Sequence, residues 1–399
     1  MLSYCTNVHP AETLAGIWET LSRCAVPLKR KASPDGPLGL GLYLPAAAAE
    51  PLAARPESAA DFLGFLQEEG LGVVTVNAFP YGGFHGERVK EGVYRPDWTS
   101  PKRLDYTLLA GRALAALLLP GATGTLSTLP GSWKAWDVSE EALDRMALNL
   151  LSAAAAFHRI REETGRTLVL CLEPEPGCTI ENTPETLAFF ERRLLAGGAH
   201  RLAGLLGTGP SRAEEVARRH LGVCLDTCHL ALQFENLPDS IRRLSEAGIR
   251  IGKAQLSSAL VLKDPGRSPE GVRALQAFDE PRFLHQVTAR TPSGIQFLPD
   301  LTLLDAAPEA WASASEWRCH FHVPLDRAAF PPLGTTQAEL KAVLPTLLAL
   351  PEPPHLEIET YTWSVLPERE RPRDEAGLVE GLAREFAWVK AELARPGRP

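Results

Sequence analysis

Eight short apolar runs, each closing on a polar side chain, recur along the chain with segments of helical period between them. They are Leu2–Thr6, Leu38–Tyr43, Gly72–Asn77, Gly124–Thr128, Thr167–Glu173, Gly222–Asp226, Ile249–Leu256 and His355–Glu359. Alternation of this kind forces parallel pairing, because each helix returns the chain to the end from which the last strand started. Eight such units can close on themselves, so the pattern predicts an α/β fold, a (β/α)8 barrel. Helices are expected over Ala11–Cys24, Pro56–Glu69, Arg103–Leu119, Ser139–Glu163, Pro184–Leu195, Pro238–Ala247, Thr336–Leu350 and Glu375–Leu393, with Ser139 as a cap and Pro184 in a first turn.

Two connections exceed a plain loop. Residues 78–102, "AFPYGGFHGERVKEGVYRPDWTSPK", mix aromatic, basic and glycine residues as a substrate-covering lid does. Residues 259–324 form an insertion in which "HQVTARTPSGIQFL" reads as a hairpin turning at Pro292-Ser293-Gly294. Both leave the strand ends where a barrel builds its site. The 399 residues are read as one barrel domain, 1–393, with residues 394–399 as a tail and with Pro45–Arg55 and Asp264–Glu270 as linkers.

A formal net charge of −8 provides no field to gather phosphates, which argues against a nucleic-acid partner. Seven cysteines without a CxxC pair suggest thiols of a reducing compartment. The start, "MLSYCTNVHP", lacks a signal-peptide pattern, and no apolar run is long enough to span a bilayer. The expected place is the cytoplasm. The expected partner is a small polar metabolite, with a homodimer allowed.

Strand ends of a barrel converge on one mouth, and here they carry oxygen and imidazole donors: Asn7, His9, Asn77, Glu173, Glu175, Asp226, His229, Gln255, His320, His322, Glu357 and Glu359. Asp226 and His229 form a D-x-x-H, a spacing that brings a carboxylate and an imidazole to one divalent cation. The same pair also suits a helix cap. His320 and His322 alternate, so both face one side of an extended segment. Glu173 is favoured over Glu175, and Glu359 over Glu357, because each stands nearer the mouth; the others are expected in ion pairs or caps below or beside it. Gln255 offers a neutral amide oxygen, while Cys224 and Cys228 are expected to pack. Asn7, His9, Asn77, His85, Lys90, Tyr94, Arg95 and Trp98 are candidates to hold the substrate's distal end.

The sixth-strand "VCLDTCHLA", the fifth-strand Glu, "LEIET" and the H-x-H resemble the xylose isomerase-like TIM barrels, which include sugar phosphate isomerases, epimerases and endonuclease IV-type nucleases. "YCTNVHP", "NAFPYGGFHGERVKEGVYRPDW", "LEPEPGC" and "LEIETYTW" are similar more closely to the EboE-type metabolite traffic branch, from Leu2 to about Leu393. The resemblance implies a divalent metal (Zn, Mn or Mg) held by Glu173, Asp226 and Glu359, with Glu173 and Glu359 also moving the proton. The family's seventh-strand His is replaced by Gln255, for which His229, His320 or His322 would compensate. Leu129 stands where the nuclease branch has a His, which argues against a nuclease. The expected activity is metal-dependent isomerisation or epimerisation, with non-catalytic metabolite binding or traffic as the alternative.

Overall fold

In the computed structural model, which describes residues 2–86, 88–136 and 138–395, the eight apolar runs are eight parallel strands closed into one barrel. They are β1 (Leu2–Cys5), β2 (Leu38–Tyr43), β3 (Leu71–Asn77), β4 (Thr123–Thr128), β5 (Thr167–Leu172), β6 (Leu221–Asp226), β7 (Arg250–Leu256) and, last in the chain, β14 (His355–Ile358). Around the barrel the order is β1, β14, β7, β6, β5, β4, β3, β2. The period of two sorts each strand. Leu40, Leu42, Val223, Leu225, Ala254 and Leu256 join the large apolar core, whereas Val169, Cys171 and Cys224 form a separate small cluster. Lys253 is fully buried, its Nζ 2.7 Å from Glu357 Oε1 and 3.1 Å from Ser127 Oγ. Gly41 makes room for this pair: a Cβ there would lie 1.3 Å from Glu357 Oε2.

The helix over Glu140–Thr164 starts where Ser139 Oγ accepts from Ala142 N and stops at Gly165, whose φ of 69° suits glycine. Elsewhere the structure corrects the expectation. The first helix passes through a π turn at Leu21–Ala25 and continues to Ala32. Pro45–Arg55, expected as a linker, is the helix Ala46–Ala54, packed on Pro101–Leu117; its alanines outweigh the break suggested by Pro51. Asp264–Glu270 is likewise structured, as a 3-10 turn at Pro265–Arg267 leading into the helix Pro269–Gln276. The helices Ala199–Leu206 and Pro210–His220, unforeseen, lie between glycines that break the helical pattern. Residues 396–399 of the expected tail lie outside the described residues.

The insertion is more than a hairpin. Strands β8 (Leu260–Lys263), β9 (Val287–Thr291), β10 (Gly294–Leu298), β11 (Glu316–Cys319), β12 (Ala329–Phe330) and β13 (Leu333–Thr335) form an antiparallel sheet in the order β10, β9, β11, β8, β13, β12. It therefore runs past Pro324 to Thr335. Leu262, Trp311, Trp317, Phe321 and Phe330 belong to its own apolar cluster. Among the described residues no helix is long and apolar enough to cross a membrane.

The last helix, Glu375–Leu393, is tied to the mouth by Glu385, which is fully buried. Its Oε1 accepts from Leu325 N at 2.9 Å and Thr360 Oγ1 at 2.6 Å. Burial pushes this carboxyl up to about 8 from an ordinary 4.5. The folded chain thus holds a proton that the unfolded chain has lost between those values, so this contribution to stability is full below 4.5 and is lost as pH rises through 8. Glu385→Gln, which keeps the acceptor and cannot ionise, is expected to recover about 2 kcal/mol of the wild-type decline between pH 6 and 8. Urea midpoints at the two pH values measure it; equal declines in both proteins would refute the assignment.

Candidate metal centre

Glu173 follows β5, Asp226 ends β6 and Glu359 follows β14, so three strand ends aim carboxylates at the mouth. One oxygen from each lies within 4.8 Å of the others. Asp226 Oδ1 accepts from His229 N and Ser257 Oγ, both at 2.8 Å, and thereby caps the helix Thr227–Leu232. Glu359 Oε1 accepts from Asn7 Nδ2 at 2.9 Å and Asn77 Nδ2 at 3.0 Å. The remaining oxygens Glu173 Oε2, Asp226 Oδ2 and Glu359 Oε2 are buried without a hydrogen-bond partner. Buried oxygens of this kind cost free energy unless something pairs with them.

Beside the carboxylates three imidazoles meet. His229 Nε2 is 3.2 Å from His320 Nε2, which is 3.0 Å from His322 Nε2. Their other nitrogens are occupied: His229 Nδ1 is 3.1 Å from Pro174 O and His322 Nδ1 is 2.9 Å from Glu359 O. Carbonyls only accept, so both Nδ1 atoms carry the hydrogen and both Nε2 atoms present lone pairs. His320 Nδ1 is 2.6 Å from Gln286 Oε1, whose amide is oriented by Nε2 donating to Glu175 Oε1 and Pro176 O. The third Nε2 is then bare as well. A proton on His320 would relieve the crowding, but burial, followed by His229 and His322, holds its pKa well below the ordinary 6.5. Burial also holds His322 at about 4, against the opposing pull of Asp226. The two Nε2 to Nε2 separations, 3.2 and 3.0 Å, are close to the roughly 3.3 Å by which a tetrahedral zinc spaces its ligand atoms.

The two groups are continuous. Asp226 belongs to the carboxylate set and also stands with His229 and His322, while Glu175 stands with His229 and His320. The donors present fit a divalent cation. Burial, then Glu359 and Asp226, push the Glu173 carboxyl well up; burial, then Asp226 and Glu357, do the same to Glu359. Burial acts on Asp226 too, but His229, His322 and its hydrogen bonds bring it below the usual carboxylate value.

Of the expected ligands, Gln255 departs from the plan: it is fully buried, and its Oε1 accepts from the Cys224 thiol at 3.1 Å. Gln255 pairs with Asp226 across β6 and β7, level with the strand end, and it is the Cys224 thiol that occupies its amide oxygen. Glu357 lies in the Lys253 pair, and Glu175 accepts from Tyr94 Oη at 2.7 Å. Cys228 is within reach of His320 and His322, but burial pushes its thiol well above the ordinary range.

Asn7, Asn77, Lys90 and Tyr94 line the cavity in front of the cluster. Four substrate-contact expectations are corrected, because His9, His85, Arg95 and Trp98 are absent from its walls. His9 Nε2 lies 3.2 Å from Tyr4 Oη; His85 packs on Tyr43 and Phe84; the Arg95 guanidinium lies 3.8 Å from the centre of the Trp136 ring; and Trp98 is core, with Nε1 donating to Thr128 Oγ1. Of the five lid residues expected to contact the ligand, Lys90 and Tyr94 line the cavity and His85, Arg95 and Trp98 do not. Gln286, Ser257, Tyr361, Phe283 and Leu284 were not foreseen. Tyr361 was accessible through the period of two from Glu359; the others depend on the insertion's path.

No protein-family model matches the chain, and no curated protein matches it. Solved structures do. A xylose isomerase domain protein from Planctomyces limnophilus is 13% identical, with 92% of this chain and 90% of that chain covered and a TM-score of 0.47. A xylose isomerase-like TIM barrel protein from Mycobacterium smegmatis in complex with magnesium is 8% identical, with 98% and 97% covered and a TM-score of 0.48. The IOLI protein with a binding zinc atom is 10% identical, with 99% of each chain covered and a TM-score of 0.47. The fold rests on the closed strand order itself rather than on likenesses this distant.

Proposed function

We propose that this chain is a metal-dependent isomerase- or epimerase-like protein that transfers a proton beside a carbonyl of a small, oxygen-rich metabolite. The observation that carries the reading is the pair Glu173 and Glu359, buried at strand ends three places apart around the barrel, each with one oxygen unpartnered, beside an imidazole cluster. Asp226, His229, His320 and His322, with the two glutamates, would hold a zinc, manganese or magnesium ion, which when bound supplies electrophilic polarisation of the substrate carbonyl. Asn7 and Asn77 fix one oxygen of Glu359 and leave the other to exchange a proton with the ligand. Glu173, as the carboxylate, would take the neighbouring proton and Glu359, as the acid, return one, roles suited to the raised proton affinity that burial gives both groups. The lid and insertion, joined by Val89 N and Lys90 N donating to Arg282 O, exclude water from the transfer.

Incubation in D2O with Mn2+ or Zn2+ and a panel of sugars is expected to place deuterium at a carbon next to the carbonyl. Glu173→Gln is expected to slow that exchange at least about 100-fold. Tight binding without exchange in the unaltered protein would instead favour a metabolite carrier, the reading supported by Gln255 and by the similarity to EboE-type traffic proteins. The nuclease reading has little support: Leu129 lies in the apolar core, and among the described residues Lys90 is the one Lys or Arg lining the cavity.

A further inference from the structure

We infer that the ligand of this site, granted the metal-centre reading above, is an unphosphorylated molecule with two sides, an oxygen-rich head for the carboxylate and imidazole cluster and an uncharged apolar or aromatic tail. The cavity has two unlike halves. Its floor is Glu173, Glu175, Glu359 and the imidazoles. The walls beyond are Phe79, Phe84, Val93, Phe283, Leu284 and Tyr361. Phe84, Phe283 and Tyr361 form a closed trio, with ring centres 5.0, 5.4 and 5.1 Å apart. These rings come from three separated segments, the lid, the approach to β9 and the loop after β14, so folding assembles the apolar chamber over the polar floor.

A phosphate in this chamber would have to leave water, which requires cationic partners or a row of donors. Lys90 is the one candidate, and it is taken: its Nζ lies 2.7 Å from Asp300 Oδ2 and 3.2 Å from Glu280 O. Asp300 Oδ1 has no hydrogen-bond partner, so the vicinity of that ammonium has acceptor capacity to spare. Arg282 lies over the Phe283 ring and Arg95 over Trp136, and neither lines the cavity. With carboxylates below and no free cation among the described wall residues, a phosphorylated tail is disfavoured and an apolar one gains burial against the rings.

Three hydroxamates, whose paired oxygens suit the head position, test this in the unaltered protein by calorimetric titration with and without zinc: acetohydroxamate, 3-phenylpropionohydroxamate and phosphoglycolohydroxamate. The phenyl compound is expected to bind the zinc-loaded protein at least about tenfold more tightly than acetohydroxamate, and the phosphorylated compound no more tightly. Phe84→Ala should reduce the phenyl advantage to under about threefold. A phosphorylated compound that binds most tightly, or a phenyl compound equal to acetohydroxamate, overturns the inference while leaving the metal reading standing if binding still needs zinc. A phenyl preference that persists equally without zinc overturns the metal reading alone, and no binding by any of the three overturns both.

Discussion

Lys253→Met is expected to lower the unfolding free energy by about 3–5 kcal/mol at pH 7, the range found when one partner of a buried ion pair is removed. Lys253 and Glu357 are both 0% exposed, and Gly41 leaves no space for a side chain that could take the ammonium's place. Methionine nearly preserves volume, so the loss would reflect the stranded Glu357 carboxylate rather than a cavity. Although burial alone would lower the Lys253 pKa, Glu357 and then Cys224, Cys5 and Glu359 raise it above its ordinary value, so the ammonium remains charged. The companion substitution Lys253→Met with Glu357→Gln removes both charges and is expected to recover at least half of the loss. Denaturant midpoints for the three proteins decide it. A double variant no more stable than Lys253→Met would refute the electrostatic account, because the cost would then lie in packing. The effect extends to the mouth, since Lys253 also opposes the rise in the Glu173 and Glu359 pKa values. Its removal should leave both glutamates holding protons to higher pH.

The carboxylates could be read from sequence because a barrel converts position into place. Glu173, Asp226 and Glu359 each stand at the end of an apolar run, and the closure of eight runs brings those ends together whatever the loops do. The His320-x-His322 pair was visible for the same reason of period. What the pattern did not carry was the register of the insertion. Gln286 orients His320, and Phe283 and Leu284 wall the cavity, yet they precede β9 in a segment whose only local signal was a hairpin turn. Their positions depend on β11 pairing with both β8 and β9, contacts set by an antiparallel sheet folded far along the chain. The lid failed differently. Its composition suited ligand contact, but Trp98 and Arg95 are amphipathic enough to satisfy the core and an aromatic ring instead.

The largest expected effect is on metal affinity. Asp226→Asn is expected to weaken zinc binding by more than about 100-fold, exceeding the 10–100-fold typical for groups that only support a ligand. The amide can still cap the helix through its oxygen, accepting from His229 N and Ser257 Oγ as Oδ1 does. What it loses is the anionic, unpartnered Oδ2, placed between the carboxylates and the imidazoles. His320→Ala should act through the other half of the site, removing the Nε2 that lies between those of His229 and His322. Because burial keeps His320 and His322 neutral near pH 7, zinc need displace no proton from them, and it should stabilise the unaltered protein by about 2.7 kcal/mol at 100 times its Kd. Elemental analysis, competition against a chromophoric chelator and the zinc-induced rise in Tm measure these effects independently. Asp226→Asn and His320→Ala proteins that fold but bind zinc as the parent does would refute the assignment of either half. If only His320→Ala retained affinity, the cation would belong to the carboxylates, and the converging imidazoles would require a shared proton to account for their spacing.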